Sequence, residues 1–176
     1  MDLLDDLASV KRGEENNNYA KSYDECSRYL KETGIRTSED VVTHHIARPN
    51  CERDISIYGY AIDAYKKGEK IKYDELPEEL KTHKNQSSFR DRFKVIEGDE
   101  HACHTVLAHL SKDGHYFIHP DRKQCRSITV REAARLQTFP DNYYFEGNRG
   151  AKFTQIGNAV PPIMARGIAK AIKKQL

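Results

Sequence analysis

The chain reads as α+β: a helical N-terminal part, a small antiparallel sheet, then two C-terminal helices. Three observations predict this. Apolar residues recur at helical spacing as far as Gly68. After Phe93 the pattern shortens to runs of alternating apolar and polar residues around Lys112-Asp113-Gly114. Beyond Ile128 helical spacing returns with its own start and stop signals.

Met1–Val10 is expected as a short amphipathic helix with Leu3, Leu4 and Leu7 on one side, followed by a polar, turn-rich and mobile link, Lys11–Asn18. Tyr19–Thr33 sets Tyr19, Tyr23, Cys26 and Leu30 at helical spacing, and Gly34 terminates it. Asn50 caps the next helix, whose buried face is Ile55, Tyr58, Ile62 and Tyr65 and whose end is Gly68. Asp74 caps a short turn reaching Leu80, with Pro77 tolerated near its start. Strands are expected at Phe93–Glu97, Cys103–Leu110 and His115–His119, the last two joined by a hairpin in which Gly114 accepts positive φ. Thr129 opens a helix through a capping box with Glu132, and Pro140 ends it. Pro161 and Pro162 pre-set φ for a final helix, Ile163–Lys174, with Ile163, Ile168 and Ile172 among its apolar positions and Lys170, Lys173 and Lys174 at its negative end. The organisation is then a helical part, 1–90, a hairpin region, 91–127, and a closing helical part, 128–176.

A length of 176 residues suits one domain or a small domain with an extension. Apolar residues make up 38% and charged residues 32%, which allows a modest core under a polar surface. No run of about 18 apolar residues is present, so no membrane span is expected. No apolar stretch follows Met1, so no secretory signal is expected. Cys26, Cys51, Cys103 and Cys125 are scattered and form no C-x-x-C pair, which fits a reduced, cytoplasmic setting. The net charge of +2 hides an asymmetry: residues 101–176 hold twelve Lys and Arg against five Asp and Glu, and residues 1–100 hold seventeen against twenty-two. A basic C-terminal part suits phosphate contact, although a solvated charged face has the same composition. His101, Cys103, His104, His109, His115, His119 and Cys125 crowd one stretch, but their spacing fits no zinc template, so no metal is expected.

Arg131 and Arg135 lie four apart, hence on one helical face, where they can meet phosphate, a carboxylate or carbonyls. Ala133, Ala134 and Leu136 add a small packing surface. The Gly157-Asn158 pair favours a turn whose amide suits a small polar ligand or caps the following helix. Arg90, Arg92 and Lys94 with Phe89 and Phe93 form a basic–aromatic cluster, suited to nucleic acid or to a core flanked by solvated charges.

Two strings carry a resemblance. Thr129-Val-Arg-Glu-Ala-Ala-Arg-Leu-Gln-Thr-Phe-Pro-Asp141 resembles the ninth motif of the DNA cytosine-5 methyltransferases, and Gln155-Ile-Gly-Asn-Ala-Val-Pro-Pro162 resembles the tenth. The ninth-motif likeness implies that Arg131, Glu132 and Arg135 organise a target-recognition region, with phosphate contact by Arg131 only secondary. The tenth implies one wall of an S-adenosylmethionine pocket, with Asn158, Val160 and Gln155 at the cofactor. Phe93–His119 resembles a target-recognition core, and Thr105-Val106 matches the Thr–aliphatic pair that nears the substrate backbone beside the flipped base. The resemblance therefore makes His104, Thr105, Val106, His109, Lys112 and His115 DNA-binding candidates. Thr43–Asp54 (THHIARPNCERD) looks like a bacterial subgroup of the family and carries no assigned chemistry.

The family's reaction uses a cysteine in Pro-Cys-Gln to attack C6 and a Glu in Glu-Asn-Val to assist at N3, after which C5 takes the methyl group. No cysteine here stands between Pro and Gln, and neither Glu-Asn-Val nor a Gly-rich cofactor turn is present. The resemblance thus implies a C-terminal DNA-recognition and pocket-closing part that lacks the α/β catalytic core, is inactive alone, and holds S-adenosylmethionine only with that core. Its expected partners are double-stranded DNA, the catalytic domain or subunit of the same methyltransferase, and a second copy through the last helix. A stand-alone DNA-binding module or a subunit of a split methyltransferase is the alternative.

Overall fold

The computed structural model describes residues 3–83, 90–96, 103–112 and 114–176. Phe89, Glu97, His101 and Asp113 lie outside the described residues. The expected antiparallel sheet is overturned: the chain is mostly helix and coil, 38% helical and 4% strand, with no sheet among the described residues. The α-helices are α1 (Arg28–Thr33), α2 (Glu52–Tyr65), α3 (Val130–Leu136), α4 (Arg149–Asn158) and α5 (Pro162–Lys173). Short 3-10 turns cover Tyr73–Glu75, Glu78–Leu80, Ala108–Ser111 and Gly114–Tyr116.

The N-terminal helix gives way to an extended strap because its backbone groups are used in pairing. Leu7 bridges Tyr19, Ala8 N–H donates to Asn18 O (3.1 Å) and Ala20 N–H donates to Asp6 O (2.7 Å). The same pairing delays α1 to Arg28, where the Ser27 hydroxyl accepts from Leu30 N–H. Gly34, at φ 71°, ends α1 as its left-handed cap. The polar link is held too: Glu15 bridges Ile46, and Asn16 N–H donates to His45 O (3.1 Å). α2 buries Ile57, Tyr58, Ala61 and Ile62. Asn50 does not cap it; its amide donates to the Tyr58 hydroxyl (3.2 Å). Asp74 sits inside its 3-10 turn, which Glu75 closes by accepting from Lys72 N–H (3.0 Å).

The expected hairpin fails for an identifiable reason. Val106 and Leu110 are four apart and both enter the core under α3 and α4, so Ala108–Ser111 winds into a 3-10 turn. Backbone pairing concentrates instead on Ile118, which bridges Val95 in parallel and Ser127 in antiparallel fashion. Among the described residues neither Phe93–Glu97 nor His115–His119 forms a strand: Val95 and Ile118 make single bridges, His115 and Tyr116 lie in a 3-10 turn, and a tight turn cannot supply a parallel partner. The main core gathers Ile96, Val106, Phe117, Ile128, Ala133, Phe145, Phe153 and Ile156. A second lies under α2 with Tyr73, Phe93, Val95 and Ile118, and a third, small one joins α1 to Ile163.

Candidate functional site

The site is built around α3. Thr129 Oγ1 accepts from Glu132 N–H (3.2 Å) and Glu132 Oε2 accepts from Thr129 N–H (2.7 Å), so the capping box starts the helix. Every residue from Val130 to Arg135 is buried. Buried charges require partners, and these have them. Arg131, 0% exposed, donates to Thr43 O (3.0 Å), Thr43 Oγ1 (2.6 Å), Pro140 O (3.2 Å) and Tyr143 O (3.0 Å). Arg135 grips Asp141 through both oxygens (2.9 and 2.6 Å), donates to Leu3 O (2.7 Å), and pairs with Asp6, which also holds Arg36. Burial alone would lower the Arg135 pKa, but the bonds and charge of Asp141 and Asp6 raise it above its ordinary value. Tyr19 donates to Asp141 Oδ2 (2.8 Å), and burial together with that carboxylate raises its phenol pKa.

A second charged group lies at the other end. Arg126 holds Glu132 through two bonds of 2.7 Å, and His119 Nε2 stands 3.5 Å from Glu132 Oε1. Burial would raise the Glu132 pKa, but Arg126 and His119 hold it well below the usual carboxylate range. His45 bridges Ala8 O (2.7 Å, Nε2) and Thr129 Oγ1 (2.9 Å, Nδ1). A carbonyl only accepts, so Nε2 carries the proton and Nδ1 accepts from the hydroxyl. Burial lowers its pKa and favours this neutral form. Arg126, Arg131 and Arg135 are half of the six arginines in residues 101–176, so a quarter of the twelve cations in that stretch faces inward.

The two motif strings meet directly. Gln137 Nε2 donates to Ala159 O (2.9 Å), and Ile163 N–H donates to Thr138 Oγ1 (3.2 Å). The Gly157-Asn158 pair does not form a turn ahead of α5; it is the last turn of α4, a helix the sequence reading missed. Asn148 starts that helix by accepting from Ala151 N–H (2.9 Å). Gly157 is there for contact: a Cβ would lie 2.2 Å from Ala108 N and 2.4 Å from Leu107 C, so only glycine lets α4 touch that backbone. The glycine thereby sets the second motif string against the Thr105–Lys112 stretch.

Along that stretch Thr105, His109 and Lys112 are exposed. Val106 points into the main core. The His104 ring packs on Phe117 at 4.8 Å, and His115 bonds the Tyr58 hydroxyl through Nδ1 (2.9 Å). A groove of ≈ 300 Å³ beside them is lined by Tyr65, Lys70, Phe93, Lys94 and His104, which draws in part of the basic–aromatic cluster. Asn158 is exposed at the end of α4, and Val160, 58% exposed, lies in the link to α5. Gln155 donates its amide to Glu146 O (2.9 Å). An exposed amide beside an exposed aliphatic chain fits one edge of a polar small molecule and offers no enclosure of its own.

Sequence reasoning overlooked Thr43, His44 and His45, Asp6, Tyr19 and Asp141 as members of this network. A carboxylate among the leucines of the strap was the available signal for Asp6; the histidine pair had none, because its partners lie about a hundred residues away in sequence.

Residues 2–174 match the C-5 cytosine-specific DNA methylase family. The chain is 59% identical over 150 residues to the type II methyltransferase M.Bpa9945I of Bacillus paralicheniformis, a match covering 85% of this chain and 33% of that protein. It is 36% identical over 164 residues to the putative type II methyltransferase M.OihORF3336P of Oceanobacillus iheyensis, covering 81% and 35%. It is 29% identical over 185 residues to the type II methyltransferase M.DdeI of Desulfomicrobium norvegicum, covering 97% and 41%. The chain thus spans about a third of the length of these curated relatives. Among the described residues no helix is long and apolar enough to cross a membrane.

Proposed function

Because this chain belongs to the C-5 cytosine-specific DNA methylase family, we propose that it serves as the DNA-reading and cofactor-closing part of an enzyme that methylates C5 of cytosine in duplex DNA. The observation that carries this is the convergence at Gly157, where the second motif string rests on the Leu107–Ala108 backbone and, through Gln137 and Thr138, on the first. One rigid block then holds the exposed residues suited to DNA and those suited to a cofactor edge.

In this reading Thr105, His109 and Lys112 meet the duplex, Lys112 by neutralising phosphate and the others by hydrogen bonds. His104 lines the groove behind them, His115 is held by the Tyr58 hydroxyl, and Val106 anchors the stretch in the core. Arg131, Glu132 and Arg135 hold the block together; with its donors committed to protein acceptors, Arg131 has no phosphate role. Asn158 and Val160 border S-adenosylmethionine, and Gln155 keeps the loop before α4 in place. When bound, that group supplies an electrophilic methyl carbon. The nucleophilic thiolate must come from another domain or subunit, since no cysteine here lies between Pro and Gln.

Co-expression with the remaining part of a relative such as M.Bpa9945I, followed by bisulfite sequencing of host DNA, tests this. Methylation is expected with both parts and with neither part alone. Methyl transfer by the purified 176-residue chain alone would overturn the assignment. Duplex binding without methylation in any combination would reduce the chain to a DNA-binding module.

A further inference from the structure

The turn that ends α3 keeps a residue that its backbone disfavours. Thr138 N–H donates to Arg135 O (2.9 Å) and Phe139 N–H donates to Ala134 O (2.9 Å), which closes the helix. Thr138 itself lies in the left-handed region at φ 63°. A β-branched side chain is strained there, and glycine is the usual occupant of that place in a helix-ending turn. What threonine supplies and glycine could not is a hydroxyl, and its partner lies 25 residues away. α5 begins at Pro162 with Pro161 as its N-cap, so neither residue has an amide hydrogen and the cap offers no side-chain acceptor. The first N–H of that helix belongs to Ile163, and Thr138 Oγ1 accepts it (3.2 Å).

That bond is one of two that fasten the link between α4 and α5. Gln137, one residue earlier and buried, donates to Ala159 O (2.9 Å) where the link begins. Ala159 is extended, at φ −78° and ψ 143°, and neighbours on extended backbone point to opposite sides. Ala159 accordingly packs against the main core while Val160 stands 58% exposed. Resting on the cofactor reading above, we propose that Thr138 is a positioning residue for S-adenosylmethionine: its hydroxyl fixes the far end of the link, so that Asn158 and Val160 hold their places before the cofactor arrives. Thr138 touches no ligand in this role and acts through Ile163. Without the tie the link must be ordered on binding, which weakens affinity for the cofactor rather than the fold.

The test compares Thr138→Gly, which relieves the backbone and removes the hydroxyl, with Thr138→Ser, which keeps the hydroxyl. In the whole chain the Ile163 amide, followed by hydrogen exchange in NMR spectra, is expected to exchange about tenfold faster in Thr138→Gly and near the wild-type rate in Thr138→Ser. Thermal melts of both are expected within about 3 °C of wild type, since in the glycine variant the relieved φ offsets the lost bond. In the enzyme assembled with the remaining part of M.Bpa9945I, calorimetry is expected to show S-adenosylmethionine binding about tenfold weaker for Thr138→Gly and within about twofold of wild type for Thr138→Ser. Wild-type cofactor affinity in Thr138→Gly would overturn the proposal and leave the cofactor reading intact, the hydroxyl then serving only to start α5. Equal weakening in both variants, or wild-type exchange at Ile163 in Thr138→Gly, would also overturn it. No cofactor binding by the wild-type assembly would bring down the cofactor reading, and the proposal with it.

Discussion

Helix α3 lies within the first motif string and α5 starts at the last residue of the second, yet α3 is buried from Val130 to Arg135 and α5 is exposed beyond Ile163. α3 carries Arg131, Glu132 and Arg135, and all three are 0–1% exposed. α5 carries an apolar stripe, and Met164, Ile168 and Ile172 stand 48–58% exposed. Hydropathy alone would have exchanged them. Charged side chains sink where opposite charge and carbonyls receive them, as Asp6, Asp141, Arg126 and Thr43 do here. Apolar side chains stay outside when no covering surface is present. α5 therefore presents a face ready for another surface, such as the proposed catalytic part or a second copy, while α3 already has its surroundings.

The sharpest way to break this contrast is Arg135→Met. It takes the main partner from Asp141 and one of the two arginines from Asp6, both buried, and a loss of roughly 3–5 kcal/mol is expected, seen as a large drop in urea midpoint. An unchanged midpoint would mean that α3 is held by packing alone. Acid acts next. Burial and Lys152 hold the His44 pKa near about 4, and burial holds His119 near about 4, against an ordinary 6.5. The unfolded chain takes up these protons first, so stability is complete above about pH 6.5 and declines as pH falls toward 4. The lowered pKa of Glu132 adds further loss below its ordinary 4.5. α5 has neither histidine nor carboxylate. Hydrogen-exchange protection, taken relative to the intrinsic rate at each pH, should thus fall in α3 from about pH 7 to pH 4 with little specific change in α5; an equal fall in both would sink the distinction. The smallest stability effect belongs to Ile168→Glu, within about 0.5 kcal/mol of wild type. The same variant is expected to abolish methylation in the co-expression assay, and full methylation would show that the stripe of α5 docks on nothing needed for activity.

Local chemistry was legible where it acts over a few residues. The Thr129–Glu132 capping box, the Gly34 terminator and the proline start of α5 stand as the residues imply. α4 was missed because its glycine and asparagine read as a turn, although Asn148 and the Phe153–Ile156 spacing marked a helix. The strap replaced a helix because Leu7 found Tyr19, and the hairpin dissolved because Val106 and Leu110 found the underside of α3 and α4. Both errors concern partners distant in sequence.

The residues by themselves determined the family, the bounds of α3, the stop of α1, the start of α5 and the absence of a Pro-Cys-Gln string, since these depend on local backbone preference and on strings of side chains. Tertiary structure alone decided that Arg131 and Arg135 face inward and that Gly157 serves contact rather than a turn. The reason is physical: whether a charge is buried or free depends on the groups that surround it, and those groups come from remote parts of the chain.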